Sequence, residues 1–187
     1  MSVGPAQSIH REEIRDFKWG SYLTTPLPAA TEAQIVEVET RLGVRLPEEL
    51  RRGYKTTGHA SVIKRGKFCS SGVTGALTQG WRYLGFKQFL KPIDRIEVES
   101  RHIAEYIDDQ YERTFPDVIP FAQLGAGGWT CLNYQKDPTR ANPEVWEADR
   151  EANATFETFF HKIADSFDDF VDMLLPDDEI AALGFRV

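Results

Sequence analysis

The stretch that decides the fold of this chain is residues 28–50, PAATEAQIVEVETRLGVRLPEEL. Thr31 and Gln34 have the spacing of a capping box, in which each side chain satisfies a free amide of the first helical turn. Apolar residues then recur at helical intervals, and Gly43 stands where helices commonly end in the left-handed conformation. Pro47 lacks the N–H that the first helical position does not need. The stretch therefore predicts two consecutive helices, beginning at Thr31 and at Pro47.

The remainder of the chain predicts an antiparallel sheet with further helices packed on it. Strand-like alternation falls at about residues 61–63, 67–69, 81–89, 118–122, 129–134, 143–148 and 156–163. A glycine-rich turn, Gly125–Gly128, joins two of these strands as a hairpin. Helical spacing predicts one helix over about 94–111 and a last helix that opens at Ser166, with Phe167, Phe170, Val171 and Leu174 packing inward. The predicted class is α+β, with a mostly antiparallel sheet.

Length and composition favour one folded domain. The 187 residues are 41% hydrophobic and 12% aromatic, enough for a sizeable core. We predict a single domain over residues 1–187, with an N-terminal extension (1–18) and a C-terminal tail (176–187). No apolar run approaches the roughly 20 residues that span a bilayer, and the opening residues lack an apolar signal core. The sequence therefore predicts a cytoplasmic protein without a membrane partner.

The net charge of −7 conceals two regions of opposite sign. Residues 51–91 carry nine Lys or Arg and no Asp or Glu, whereas the rest of the chain has 13 basic and 29 acidic residues, a balance of −16. A two-signed electrostatic field of this kind steers partners of complementary charge.

No pattern in the sequence is typical of catalysis. Cys69 and Cys131 form no Cys-x-x-Cys pair and are expected to stay reduced, and the four histidines show no metal-ligand spacing. The Gly125–Gly128 segment lacks the Lys-Ser/Thr of a phosphate-binding loop, and no Gly-x-Ser-x-Gly nucleophile motif occurs. We predict no enzyme activity, no metal and no cofactor.

Two stretches resemble the SUKH superfamily (SMI1/KNR4-like). In residues 28–50 a helix ending in Leu-Gly precedes a Leu-Pro that starts the next helix. The second stretch runs from Ile119-Pro120-Phe121-Ala122 through the glycine turn, and its end, Ser166-Phe167-Asp168-Asp169-Phe170, is similar to the Ser-Phe-acidic-acidic-Phe ending of the family. The matching order covers about residues 19–175. Thr56-Thr57-Gly58-His59 departs from it, since members usually carry an Asn-Gly-Gly-like turn there.

The resemblance implies an α+β fold and, for many bacterial members, an immunity protein that binds a cognate polymorphic toxin, often a nuclease. The expected partner is the C-terminal toxic domain of that toxin. Eukaryotic relatives act in cell-wall regulatory networks, so a cytoplasmic scaffold or regulatory module is the alternative. A third reading is an enzyme or nucleic-acid binder that uses the basic, aromatic-rich segment 51–91, although the acidic chain as a whole argues against nucleic acid.

Acidic side chains near the C-terminal end are the predicted partner-binding residues. An acidic surface would associate quickly with the basic face of a nuclease and block its substrate, and a tryptophan would supply an aromatic anchor. The alternative is a solvated helix face whose acids favour the helix dipole. The predicted residues are Glu144, Trp146, Glu147, Asp149, Asp165, Asp168, Asp169 and Asp172.

Overall fold

The structure is a computed structural model that describes residues 19–20, 28–56, 61–62, 67–70, 82–85, 88–90, 96–111, 115, 117–123, 128–148, 159–172 and 174–175. Within these ranges the helices are α1 (Glu32–Leu42), α2 (Glu48–Thr56), α3 (Ile96–Tyr111) and α4 (Phe167–Asp172). The strands are β1 (Trp19–Gly20), β2 (Ser61–Val62), β3 (Lys67–Ser70), β4 (Arg82–Gly85), β5 (Gln88–Leu90), β6 (Val118–Gln123), β7 (Trp129–Asn133), β8 (Glu144–Ala148), β9 (Phe160–Ala164) and β10 (Leu174–Leu175).

The main sheet has five antiparallel strands in the order β5-β6-β7-β8-β9. Strands β10, β3 and β4 form a second antiparallel sheet, and β1 pairs with β2. A bulge follows Pro120 in β6, where a residue that cannot donate to the ladder is tolerated. These antiparallel sheets with helices confirm the predicted α+β class.

The helix pair forms as residues 28–50 predict. The amide of Gln34 donates to Thr31 Oγ1 at 3.3 Å, and the amide of Thr31 donates to Gln34 Oε1 at 2.9 Å, which completes the capping box. Gly43 ends α1 with φ 64°, a conformation that glycine adopts without strain. Helix α2 begins one residue later than predicted, because Pro47 supplies the first carbonyl acceptor, for the amide of Arg51 at 3.0 Å.

The main sheet is buried on both faces. All five residues of β7 are buried, with Trp129 and Cys131 in one apolar cluster and Leu132 in the other. On one face, α3 contributes Ile103 and Ile107 to a cluster with Val118, Trp129, Cys131, Ala148 and Phe159. On the other face, α1, α2 and α4 pack against the sheet through a larger cluster that includes Ile35, Val38, Leu46, Leu50, Tyr54, Phe121, Leu132, Val145, Phe167 and Phe170.

One predicted element end in the second half of the chain differs from the structure. The structure describes α3 from Ile96 and β9 from Phe160, and residues 94–95 and 156–158 of the predicted elements lie outside the described residues. The prediction that Leu174 extends the last helix is wrong: α4 ends at Asp172, and Leu174 pairs with Phe68 of β3. The helical spacing of apolar residues around Leu174 is a local pattern, so it does not predict pairing with a strand about a hundred residues away. Of the predicted turn over Gly125–Gly128, residues 125–127 lie outside the described residues.

Candidate partner-binding surface

Strand β8 separates the predicted binding residues by the alternation of its side chains. Glu144 and Trp146 lie on the face that carries Ala148 and the α3 cluster, whereas Glu147 lies on the opposite face with Val145. Glu147 is only 2% exposed, so its carboxylate contributes nothing to an accessible surface. Asp149 lies outside the described residues.

Trp146 is held in one orientation. Its indole N–H donates to Glu144 Oε2 at 2.9 Å, and its ring lies 5.7 Å from the ring of Phe160 on β9. The side chain is half-buried, and in the sheet register Trp146 stands opposite Lys162. A half-buried ring fixed by both a hydrogen bond and an aromatic neighbour loses little conformational entropy when a partner covers it.

Two lysines neutralise the carboxylates around Trp146. Lys162 Nζ lies 2.5 Å from Asp165 Oδ1 and 3.7 Å from Glu144 Oε1, and Lys136 Nζ approaches the same Glu144 oxygen at 3.9 Å. The hydrogen bond between Lys162 and Asp165 raises the pKa of the lysine and lowers the pKa of the aspartate. This group of Glu144, Trp146, Lys136 and Lys162, which we call the β8–β9 cluster, is therefore mixed in charge and not an acidic patch.

Sequence reasoning missed both lysines of the β8–β9 cluster. Lys162 comes three residues before Asp165, a spacing that was available in the sequence. Its approach to Glu144, by contrast, depends on the pairing of β8 with β9. Lys136 reaches Glu144 only because the β7–β8 loop folds back beside the strand, which local sequence does not reveal.

Beyond β9, three aspartates form an exposed acidic ridge: Asp165, Asp168 and Asp169. Ser166 caps α4, since its hydroxyl accepts from the amide of Asp169 at 3.0 Å and donates to Asp169 Oδ2 at 2.8 Å. Phe167 packs against Phe121 of the sheet, which turns the carboxylates outward. Asp172 at the end of α4 is half-buried. The structure thus brings Asp165, at one end of the ridge, next to the β8–β9 cluster, since Asp165 and Glu144 share Lys162.

A second charged group lies inside the molecule, between α1 and α2. The guanidinium of Arg51, which is 6% exposed, pairs with Glu39 at 2.5 Å and with Glu32. Glu39 also accepts the amide of Leu46 at 2.8 Å, so that one carboxylate joins both helices and the turn between them. The hydrogen bond that Arg51 donates to Glu39 is the main reason why the pKa of Arg51 is raised. We call Glu39 and Arg51, with their partner Glu32, the helix clamp.

The β7–β8 loop is locked against the same helix turn. The Tyr134 hydroxyl donates to the carbonyl of Arg45 at 2.8 Å, and the guanidinium of Arg140 donates to the carbonyl of Gly43 at 3.1 Å and to Asp117 at 2.5 Å. Arg140 itself has φ 56°, which is uncommon outside glycine. These contacts fix the loop that presents Lys136.

Asp137 organises the interior of this loop. Its carboxylate accepts the amides of Thr139, Ala141 and Asn142 at 2.6–2.9 Å, together with the Thr139 hydroxyl. These hydrogen bonds, led by that from the Thr139 side chain, lower the pKa of Asp137 to about 2. The carboxylate is therefore charged at every physiological pH.

Chemistry elsewhere in the described part of the chain is sparse. Burial raises the pKa of the Cys131 thiol far above its usual range, so this thiol stays protonated and is no nucleophile. No three His, Cys, Asp or Glu side chains among the described residues are arranged to hold a metal ion. None of the helices in the described ranges is both long and apolar enough to cross a membrane.

Comparison with known proteins gives one family. The model of the SMI1 / KNR4 family (SUKH-1) matches residues 29–173, from just before α1 to just after α4. No curated protein matches the chain significantly. The matched range includes the helix clamp, the β8–β9 cluster and the acidic ridge.

Proposed function

The chain belongs to the SMI1 / KNR4 family (SUKH-1), and from this membership we propose that it is an immunity protein that binds and neutralises a cognate bacterial polymorphic toxin. The single observation that carries the proposal is the family match over residues 29–173, since the SUKH family is known for immunity-type proteins. The proposed mechanism is stoichiometric occlusion of the toxic domain, without covalent chemistry.

The charges at the end of the sheet support a basic partner. Asp165, Asp168 and Asp169 are exposed, and Ser166 holds the start of α4 so that these carboxylates keep a fixed spacing. A nuclease domain needs positive charge for its phosphate-rich substrate. An acidic ridge therefore increases the association rate with such a domain and competes with the nucleic acid for the same surface.

Trp146 supplies the apolar component of the proposed interface. Tryptophan is enriched among residues that dominate binding energy, and the fixed indole here needs little ordering on association. The surrounding acids and lysines provide a polar rim. The proposed interface thus comprises Trp146, Glu144, Asp165, Asp168, Asp169 and the edge residue Asp172, and omits the buried Glu147.

Co-expression tests the function directly. The full chain would be produced together with the C-terminal domain of the toxin encoded immediately beside its gene, in cells that the toxin arrests. We expect growth to recover and a one-to-one complex to be isolated. Persistent arrest with no complex would disprove the immunity function, whereas a complex without rescue would favour the scaffold or regulatory alternative. An unrelated toxin domain serves as the control.

The interface is tested separately, with the same toxin domain as the probe. We expect Trp146→Ala to weaken binding by about tenfold or more, while Trp146→Phe retains most of the affinity. Val36→Ala changes an apolar side chain that is 46% exposed on α1, a helix with no residue in the proposed interface; it is the matched control and should leave affinity unchanged. Equal affinities for all three variants would show that the interface does not include Trp146, and would not contradict the proposed immunity function.

A further inference from the structure

The two ends of the main sheet differ in what lies beyond them. At one end, β5 contacts β2. At the other end, β9 pairs with β8 on one side and with no strand on its other side, in the part of the chain that the structure describes. A strand at the edge of a sheet can pair with a strand of another molecule, and a second copy of the same chain is one source of such a strand.

Strand β9 carries two features that obstruct such pairing. Lys162 is the central residue of the five and is 47% exposed. The register also shifts beside it: Val145 pairs with Ala164 and Trp146 with Lys162, which leaves Ile163 as an extra residue. A bulge twists an edge away from a flat partner, and a lysine brings a charge that an added strand must accommodate.

The position of the Lys162 ammonium adds to the obstruction. Asp165 and Glu144 hold it at 2.5 Å and 3.7 Å, so that it stays beside the strand centre. If two copies of β9 paired in antiparallel fashion about this centre, the two Lys162 side chains would lie directly opposite each other. Like charges at opposed positions destabilise a strand pair.

From these contacts we infer that β9 is an edge closed to self-association, and that Lys162 is the residue that closes it. The chain is thereby kept from pairing sheet to sheet with a second copy, which leaves the neighbouring surface around Trp146 accessible. This inference is independent of the proposed toxin, because it concerns the chain alone.

Sedimentation velocity over a concentration series tests the inference on the purified full chain. We expect the wild type to sediment as a monomer, and Lys162→Val and Lys162→Thr to self-associate with a dimer dissociation constant about tenfold lower or more. Lys162→Arg, which keeps the charge, should remain monomeric. Lys136→Thr is the matched control, because Lys136 is 74% exposed and also approaches Glu144 but lies in the β7–β8 loop.

Hydrogen exchange locates the new contact. In the self-associating variants, the amides of residues 160–164 should gain protection as concentration rises, while the amides of α1 should not change. The inference is overturned if the wild type already dimerises through β9, or if both folded Lys162 variants sediment like the wild type. The threonine variant keeps the test decisive should the valine variant fail to fold, since threonine suits a half-exposed strand.

Discussion

The helix clamp and the acidic ridge use charged residues in opposite ways. In the clamp, Arg51 and Glu39 face each other in the interior and join two helices with the turn between them. On the ridge, Asp165 is 79% exposed and contacts Lys162, which is itself 47% exposed. Breaking a buried ion pair leaves an uncompensated charge, whereas exposed pairs contribute little to stability. The clamp therefore stabilises the fold, whereas the exposed ridge contributes little to stability.

The largest effect is expected from Arg51→Ala. The substitution leaves Glu39, a nearly buried carboxylate, without its main counter-charge, and should lower the free energy of unfolding by about 3 kcal/mol. Urea denaturation measures the change. Arg52→Ala, the neighbouring arginine that is 55% exposed and pairs with Glu49 in the same helix, is the control and should cost less than about 1 kcal/mol. Equal losses of unfolding free energy in Arg51→Ala and Arg52→Ala would contradict the expectation that the buried ion pair matters more than the exposed one.

Asp137 should give the next largest effect and a pH dependence. Asp137→Ala removes the acceptor of four hydrogen bonds in the β7–β8 loop and should cost about 1–2 kcal/mol.

The sign of the pH dependence follows from the lowered pKa of Asp137. Its folded pKa of about 2 lies below the unfolded value of about 4, so its contribution is complete above pH 4 and is lost as the pH falls through 2. Denaturation at pH 6, 4 and 3 should show the difference between wild type and Asp137→Ala shrinking below pH 4. A difference that stays constant from pH 6 to pH 3 would contradict this assignment.

Each of the two regions has a helix cap that can be tested: Thr31 at the start of α1, beside the helix clamp, and Ser166 at the start of α4, on the acidic ridge. Ser166→Ala removes the oxygen that accepts the Asp169 amide and should cost about 1 kcal/mol, and Thr31→Ala should cost a similar amount at the start of α1. Thermal melts compare the two variants. Equal costs are expected, because both caps are exposed. A much larger loss of stability in Ser166→Ala than in Thr31→Ala would mean that the start of α4 contributes more to the stability of the fold than an exposed helix cap should.

The smallest change in stability is expected on the ridge itself. Asp168→Asn should alter the free energy of unfolding by no more than about 0.5 kcal/mol. The same variant should slow association with the proposed toxin domain, and this difference from wild type should become smaller as salt screens the charges. Stopped-flow mixing at two salt concentrations measures this. A stability loss as large as that of Asp137→Ala would mean that the ridge stabilises the folded state.

The sequence predicted local features well where neighbours along the chain create them. The capping box of Thr31 and Gln34, the left-handed Gly43 and the Ser166 cap all form, because each depends on residues within one helical turn. The candidate surface was less predictable. Glu147 and Trp146 are neighbours in sequence, yet strand alternation buries one and leaves the other half-exposed. The sequence predicted that residues 143–148 form a strand, but which of the two faces of β8 is buried depends on how the sheet packs against the helices.

By itself, then, the amino-acid sequence determined the helix pair, the α+β class and the family, because capping, periodicity and ordered motifs are written in short stretches of chain. The tertiary structure alone decided how the charges are used. It set the side chain of Arg51 on α2 against Glu39 of α1, fixed Arg140 to the carbonyl of Gly43, and brought Lys162 of β9 to Glu144 of β8. Each of these contacts joins groups on different elements, and their energy depends on burial and on register, which no local pattern specifies.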